Sequence, residues 1–192
     1  WFMSRDAVLS LVTTVDPGGR DGTRLREARQ TDLLSVYRIE KTVFKQPWPY
    51  AAFERLLDAP AFLVAEQPTG GPTVDPAAAK HTDGSGVVGY VVGDTTPNHG
   101  RDIGHIKDIA VRPDAQGQGL GRRLLRRALH HLAASGASVV KLEVRASNTR
   151  AQRLYGSEGF EPVRTEPRYY GDGEAAHVMA LELGDWIRTE RD

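Results

Sequence analysis

Apolar positions along the chain switch between period two, which marks half-buried strands, and period 3.6, which marks amphipathic helices. Residues 23–29 alternate weakly, as an exposed strand does. Leu33, Leu34, Tyr37, Val43 and Phe44 then follow helical spacing behind Thr31-Asp32, a pair able to cap a first turn. Pro47-Trp48-Pro49 breaks that helix, and Phe53, Leu56 and Leu57 predict a second short one. Residues 61–66 and 87–93 read as strands. The remaining order is strand (103–111), helix (119–135), strand (138–145), helix (149–157), strand (159–165) and strand (175–183). Leu120, Leu124, Leu125, Ala128, Leu129 and Leu132 give the longest helix its apolar face, and Gly136 stops it. Gly171-Asp172-Gly173 signals a hairpin between the last two strands. The pattern predicts an α/β domain on a mixed sheet, with no internal repeat.

Turn-rich residues 16–22 set an N-terminal extension (1–22) apart from a domain spanning 23–183, and 184–192 read as a C-terminal tail. Within the domain, 67–86 holds Pro, Gly, Ala, Thr and Asp with almost no apolar anchors, so a mobile hairpin insertion is expected there. Trp1 and Phe2 read as residues added ahead of a native start at Met3.

Composition narrows the function. A chain of 192 residues with 40% hydrophobic content is long enough for one domain with a full core. The 25 basic and 25 acidic residues cancel, so no overall field draws the protein to nucleic acid or to a membrane surface. Without cysteine there is no disulfide framework, no thiolate metal site and no cysteine nucleophile. No apolar run reaches the roughly 20 residues that span a bilayer. Residues 7–15 follow Arg5-Asp6 and lack a small-residue cleavage pattern, so no signal peptide and a cytoplasmic location are expected. The six histidines show no metal-ligand spacing, and no metal is expected. Arg122, Arg123, Arg126 and Arg127 cluster on the long helix without interleaved aromatics, which argues against nucleic acid as the ligand.

The most informative segment is Val111-Arg112-Pro113-Asp114-Ala115-Gln116-Gly117-Gln118-Gly119-Leu120-Gly121-Arg122. A strand ends, a glycine-rich turn follows, and a helix opens. Glycines there let the backbone approach something closely, and the first N–H groups of the helix lie at the positive end of its dipole. Such a terminus suits phosphate oxygens. A P-loop is excluded because Arg122 and Arg123 stand where Lys and Ser/Thr are needed. The dinucleotide fingerprint fits Gly117 and Gly119, and Glu143 lies near its acidic position, but Arg122 occupies the place of the third glycine.

Gln116-Gly117-Gln118-Gly119-Leu120-Gly121 after Ile109-Ala110-Val111 resembles the acetyl-CoA pyrophosphate loop of the GNAT acetyltransferases. Leu142-Glu143-Val144-Arg145-Ala146-Ser147-Asn148, then Ala151, Leu154-Tyr155 and Glu158-Gly159-Phe160, is similar to the second half of that fold in its protein N-terminal branch, RimI-like enzymes above all. The resemblance spans residues 23–183 and implies the GNAT fold, with a mixed, mostly antiparallel sheet of six to seven strands flanked by helices. It implies acetyl-CoA as donor, and a protein or peptide N-terminus, such as that of a ribosomal protein, as acceptor.

Acyl transfer from a thioester to an amine needs a base for the amine, stabilisation of the oxyanion and neutralisation of the thiolate. Glu143 is the candidate base, since Lys141, Glu143 and Arg145 share one strand face, opposite Val140, Leu142 and Val144; an ordinary solvated ion pair is the competing reading. Tyr155 is the candidate acid, two turns after Asn148, with helix packing on Phe160 as its alternative. Asn148 reads as an N-cap, Thr149 to Gln152 fits a capping box, and the resemblance adds a coenzyme contact for Asn148. Ile109, Ala110 and Val111 are expected along the pantetheine, and the backbone of Gly117, Gln118, Gly119, Leu120, Gly121 and Arg122 at the pyrophosphate. The resemblance places Trp48, Tyr169 and Tyr170 at the peptide entrance. Gln46 stands where archaeal and eukaryotic relatives often carry a glutamate, which leaves Glu143 as the strong base candidate. The alternatives are a small-molecule amine acetyltransferase and a non-catalytic acyl-CoA-binding module; the joint presence of Glu143 and Tyr155 argues against the second.

Overall fold

The computed structural model describes residues 22–68 and 86–190. All but the last residue of the expected extension, and all but the ends of the 67–86 insertion, lie outside the described residues. Seven strands form one sheet in the order β1-β2-β3-β4-β5-β7-β6, where β1 is Arg24–Glu27, β2 Leu63–Glu66, β3 Val87–Thr96, β4 Asp102–Val111, β5 Ala137–Arg145, β6 Glu161–Glu166 and β7 Ala176–Glu182. Among the described residues only β4 and β5 pair in parallel, and the long helix α3 (Leu120–Ala134) makes their crossover. Helices α1 (Leu33–Val43) and α2 (Tyr50–Arg55) close one face over Phe62, Val64, Tyr90, Val92 and Ala110. Helix α3 and the C-terminal helix α5 (Leu183–Thr189) close the other over Leu63, Val91, Ile106, Leu142 and Leu181, and α4 (Thr149–Ser157) adds Tyr155 to that core. This is the mixed, mostly antiparallel sheet with flanking helices that the sequence predicts.

Three local expectations are corrected. Asp32 does not cap α1. Its carboxylate faces back, taking two hydrogen bonds from Arg26 at 2.6 and 2.9 Å and one from the Arg29 N–H at 2.8 Å, because a cation on β1 outcompetes a neutral amide. The expected tail from 184 onward is α5 instead, and Leu183, Trp186 and Ile187 are buried at helical spacing against the α3 face. Asn148 caps α4 by accepting the Ala151 N–H, but the capping box with Thr149 does not form. Gln152 donates to the carbonyls of Arg145 and Ala146, which lie closer to its amide.

Two irregularities on β4 make the site. Strand pairing between β4 and β5 ends at Ile106↔Leu142, so 107–111 pair with β3 alone and a notch opens between the two strands. The register with β3 also slips, Val92 facing Asp108 and Gly93 facing Ile106, which leaves Lys107 as the extra residue of a bulge. A bulge reverses alternation. Ile106 lies in the α3-side core, whereas Ala110 lies in the α1-side core. His105 and Asp108 therefore share the α1 side.

Candidate active site

Glu143 projects from β5 at the mouth of this notch. Its Oε2 lies 2.6 Å from Nε2 of His105 on β4, and Lys141 donates to its Oε1 at 3.3 Å. Burial alone raises the carboxyl, but the His105 hydrogen bond and the charges of His105 and Lys141 outweigh it and hold Glu143 below the usual carboxylate range. Sequence reasoning missed His105. The available signal was strand alternation, which sets His105 opposite Gly104 and Ile106, on a strand running parallel to the one with Glu143.

Tyr155 is buried on α4, with its ring centroid 5.9 Å from that of Phe160, so the packing anticipated as an alternative is present. Burial pushes its hydroxyl above the usual phenol value, and the nearby Asp108 and Tyr170 add to the shift. The ionisable groups that act on this hydroxyl thus come from two other elements, Asp108 from β4 and Tyr170 from the β6–β7 loop.

The glycine turn runs from a 3₁₀ turn, Pro113–Ala115, into α3. Gly117 and Gly119 have φ of 82° and 78°, a left-handed conformation that side chains rarely adopt. Arg123 N donates to Gly119 O as the first helical bond, so by helix geometry the N–H groups of Leu120, Gly121 and Arg122 have no intrahelical acceptor. Gln116 braces the turn by donating to Val111 O at 2.9 Å and accepting from Arg150 of α4 at 3.0 Å. The Arg122 side chain is turned away to Glu158 (2.9 Å) and Ser157, and Arg126 joins it on Glu158 (2.7 Å). Only the backbone of Arg122 faces the turn. Arg112 N bonds Val88 O, and antiparallel alternation then turns Ala110 toward β3 and directs the backbone of Ile109 and Val111 at the notch. The Ile109 N–H is taken by the Asp108 carboxyl at 2.8 Å.

Two loops flank the notch. Arg145, at the end of β5, holds the β6–β7 loop through Asp172 and Glu174 at 2.9 and 2.7 Å, and its guanidinium stacks 3.9 Å from the Tyr170 ring centroid. Tyr169 packs edge-on against Tyr170 at 5.1 Å and is half exposed. Hydrogen bonds from Ser147 and Arg145 hold the Glu174 carboxyl down at about 2. Opposite, Trp48 in the loop between α1 and α2 packs on Phe53, the ring centroids 5.7 Å apart and the planes tilted by 39°. A Cβ built on Gly171 would stand 3.2 Å from the Gln46 amide, so the loops touch. Beside Trp48, a pocket of about 380 Å³ is lined by Trp48, Pro49, Ala52, Arg55, Leu56 and Lys107. Among the described residues no cluster of three or more His, Asp or Glu side chains could hold a metal ion, and no helix is long and apolar enough to cross a membrane.

Comparison with known proteins bears on the family and the fold. A family model described as Acetyltransferase (GNAT) family matches residues 33–160. An N-alpha-acetyltransferase of Sulfurisphaera tokodaii is 32% identical, over 83% of this chain and 93% of its own length. The N-alpha-acetyltransferase RimI of Mycobacterium tuberculosis is 38% identical, over 72% and 78%. Among solved structures, the ribosomal-protein-S18-alanine N-acetyltransferase of Escherichia coli superposes with a TM-score of 0.64 at 30% identity, covering 84% of this chain and 94% of that one.

Proposed function

The chain belongs to the GNAT acetyltransferase family and is an N-acetyltransferase; from that premise we propose that it moves an acetyl group from acetyl-CoA to the α-amine of a protein N-terminus, a reading supported by relatives named N-alpha-acetyltransferases. The observation that carries this reading is the notch itself, with the Glu143–His105 pair at its mouth and an open strand leading to the glycine turn, and Tyr155 buried on the neighbouring helix α4. Ile109 and Val111 offer backbone groups to the pantetheine amides. The N–H groups of Gly117, Gln118, Gly119, Leu120, Gly121 and Arg122 take the pyrophosphate, as anions bind at helix N-termini. Asn148, at the start of α4, borders the coenzyme.

Transfer is direct. The acceptor ammonium gives a proton to the Glu143–His105 pair, and the free amine attacks the thioester carbonyl. The carbon–sulfur bond breaks as Tyr155 passes its hydroxyl proton to the departing thiolate, and the remaining excess proton on the attacking nitrogen passes to the Tyr155 oxygen, which leaves a neutral amide, the free thiol of the coenzyme and Tyr155 reprotonated. An α-amine has a pKa near 8, against about 10.4 for a lysine ε-amine, so a carboxylate held low is better matched to a chain terminus. Trp48, Tyr169 and Tyr170 frame an entrance that suits extended backbone, and peptides beginning with Ala or Ser are the expected acceptors, a ribosomal protein among them. The pocket beside Trp48 favours a second reading at the level of the first residue, a larger apolar side chain such as Leu or Met.

The test is a panel incubated with acetyl-CoA and read by mass spectrometry. It contains peptides starting with Ala, Ser, Met and Leu, N-terminally blocked peptides with an internal lysine, and polyamines. Acetylation of free N-termini is expected. Efficient acetylation of polyamines with no reaction at any peptide N-terminus would overturn the reading.

A further inference from the structure

Three ionisable side chains that the chemistry above does not use meet beneath the notch. Glu40 of α1 is 1% exposed, and Tyr90 of β3 is fully buried. Asp108, aimed to this side by the bulge, is partly buried at the notch floor. Tyr90 Oη stands 2.5 Å from Glu40 Oε2 and 2.9 Å from Asp108 Oδ2. The outer oxygens are used as well. Glu40 Oε1 accepts the Trp48 N–H at 2.7 Å, and Asp108 Oδ1 accepts the Ile109 N–H at 2.8 Å. The chain of contacts thus runs from the loop at the acceptor entrance to the strand that lines the notch.

One phenolic proton cannot be donated to two carboxylates at once. With Tyr90 Oη inside hydrogen-bond range of both, a second proton must sit in the cluster, or two buried anions would face one oxygen. We propose that Glu40, Tyr90 and Asp108 share that extra proton and act as positioning residues, locking the Trp48 loop to the bulged strand so that acceptor affinity, and not coenzyme affinity, depends on the cluster. Its bearing on the acceptor rests on the function proposed above; the lock itself does not. Burial and the facing Glu40 charge push the Asp108 carboxyl well above the usual range, which agrees with a proton held there. The ionisable groups that act on Asp108, or are acted on by it, are Glu40 from α1, Tyr90 from β3 and Tyr155 from α4. For a group raised in the folded state the favourable arrangement is present at lower pH and is lost as pH rises through the raised value.

The experiment reads the Trp48 backbone amide in the full chain by NMR, alongside steady-state kinetics. In the wild type that amide should shift with pH in one step lying above the ordinary carboxylate range near 4. Asp108→Asn, a neutral mimic of the protonated acid, should abolish the step. Tyr90→Phe breaks the chain of contacts and should speed Trp48 amide exchange about tenfold. It should also raise KM for peptide about tenfold while leaving KM for acetyl-CoA within about twofold, the scale of one lost hydrogen bond. Glu40→Gln keeps an acceptor for the Trp48 N–H and should retain more of its protection than Glu40→Ala. An unchanged pH step in Asp108→Asn, or equal rises in both KM values in Tyr90→Phe, would overturn the proposal. Because the amide readout needs no substrate, a protein that behaves as expected there yet acetylates no peptide overturns the acceptor reading and not the lock.

Discussion

A 2.6 Å contact ties Glu143 to His105, and that contact decides what a substitution at either residue should do. Glu143→Gln preserves shape but removes the charge that can receive a proton. Turnover should fall by roughly 10²–10⁴-fold, as for loss of a general acid or base, with acetyl-CoA affinity nearly intact. Raising the pH should restore part of the rate, because solvent then deprotonates the amine. Tyr155→Phe removes only the hydroxyl and keeps the packing on Phe160, so the loss should be of the same order without a change in stability. Steady-state kinetics with a peptide acceptor, together with a melting curve, check both. Full turnover at neutral pH in either variant removes that residue from the mechanism.

Among the elements, the glycine turn and the β6–β7 loop carry separable predictions. At Gly119 a valine meets two penalties, since φ is 78° and any side chain also enters the space above the turn. Gly121 separates them: its φ is not left-handed, and an added Cβ meets only Leu154 at 3.7 Å. Gly121→Ala should therefore leave the fold intact. If N–H groups here hold a pyrophosphate, it should still weaken acetyl-CoA binding by about tenfold or more, the scale of one displaced charge-assisted contact. Calorimetry showing normal coenzyme binding in Gly121→Ala, and in a folded Gly119→Val, would discard the phosphate assignment. At the other loop, Arg145→Ala removes two ion pairs and the stack on Tyr170 together. KM for peptide should rise about tenfold, and Arg145→Lys should recover little of it, because an ammonium cannot stack and bridge as a planar guanidinium does.

For the whole molecule, the C-terminal helix supplies a pH sensitivity. His130 of α3 packs 4.9 Å from the Trp186 ring and places Nε2 3.0 Å from the Glu190 carboxylate, while its Nδ1 is buried without a partner. Burial, with the charges of Arg127 and Arg126, lowers its pKa to about 4. The unfolded chain takes up a proton near 6.5 and the folded one does not. Stability from this group is therefore present above about 6.5 and is lost as pH falls toward 4. Between pH 7 and pH 5 the loss should be roughly 2 kcal/mol, less whatever solvent screens. His130→Leu, which keeps an apolar partner for Trp186, should flatten that part of the profile in denaturant titrations. An identical pH dependence in the variant would exclude His130 as its source.

How much of this was legible beforehand depended on the range of the interaction. The strand and helix order, the glycine turn, Gly136 as a helix stop and the Lys141-Glu143-Arg145 face follow from local periodicity and backbone sterics, and the sequence by itself determined them. The helix at 183–189 was also written locally, in Leu183, Trp186 and Ile187, but its amphipathic signal is short and the face it covers belongs to α3 and the sheet. Asp32 was misread as a cap because its stronger partner, Arg26, lies on a separate strand. His105, Glu40, Tyr90 and Asp108 are unremarkable in sequence. The slip at Lys107 reverses alternation along β4, and residues far apart in the chain then converge on one side of the notch. Register is a collective property of paired strands, fixed when both faces of the sheet are packed at once. Period and propensity therefore determined the elements and the strand face that carries Glu143. Only the tertiary structure decided which polar side chains face each other across it.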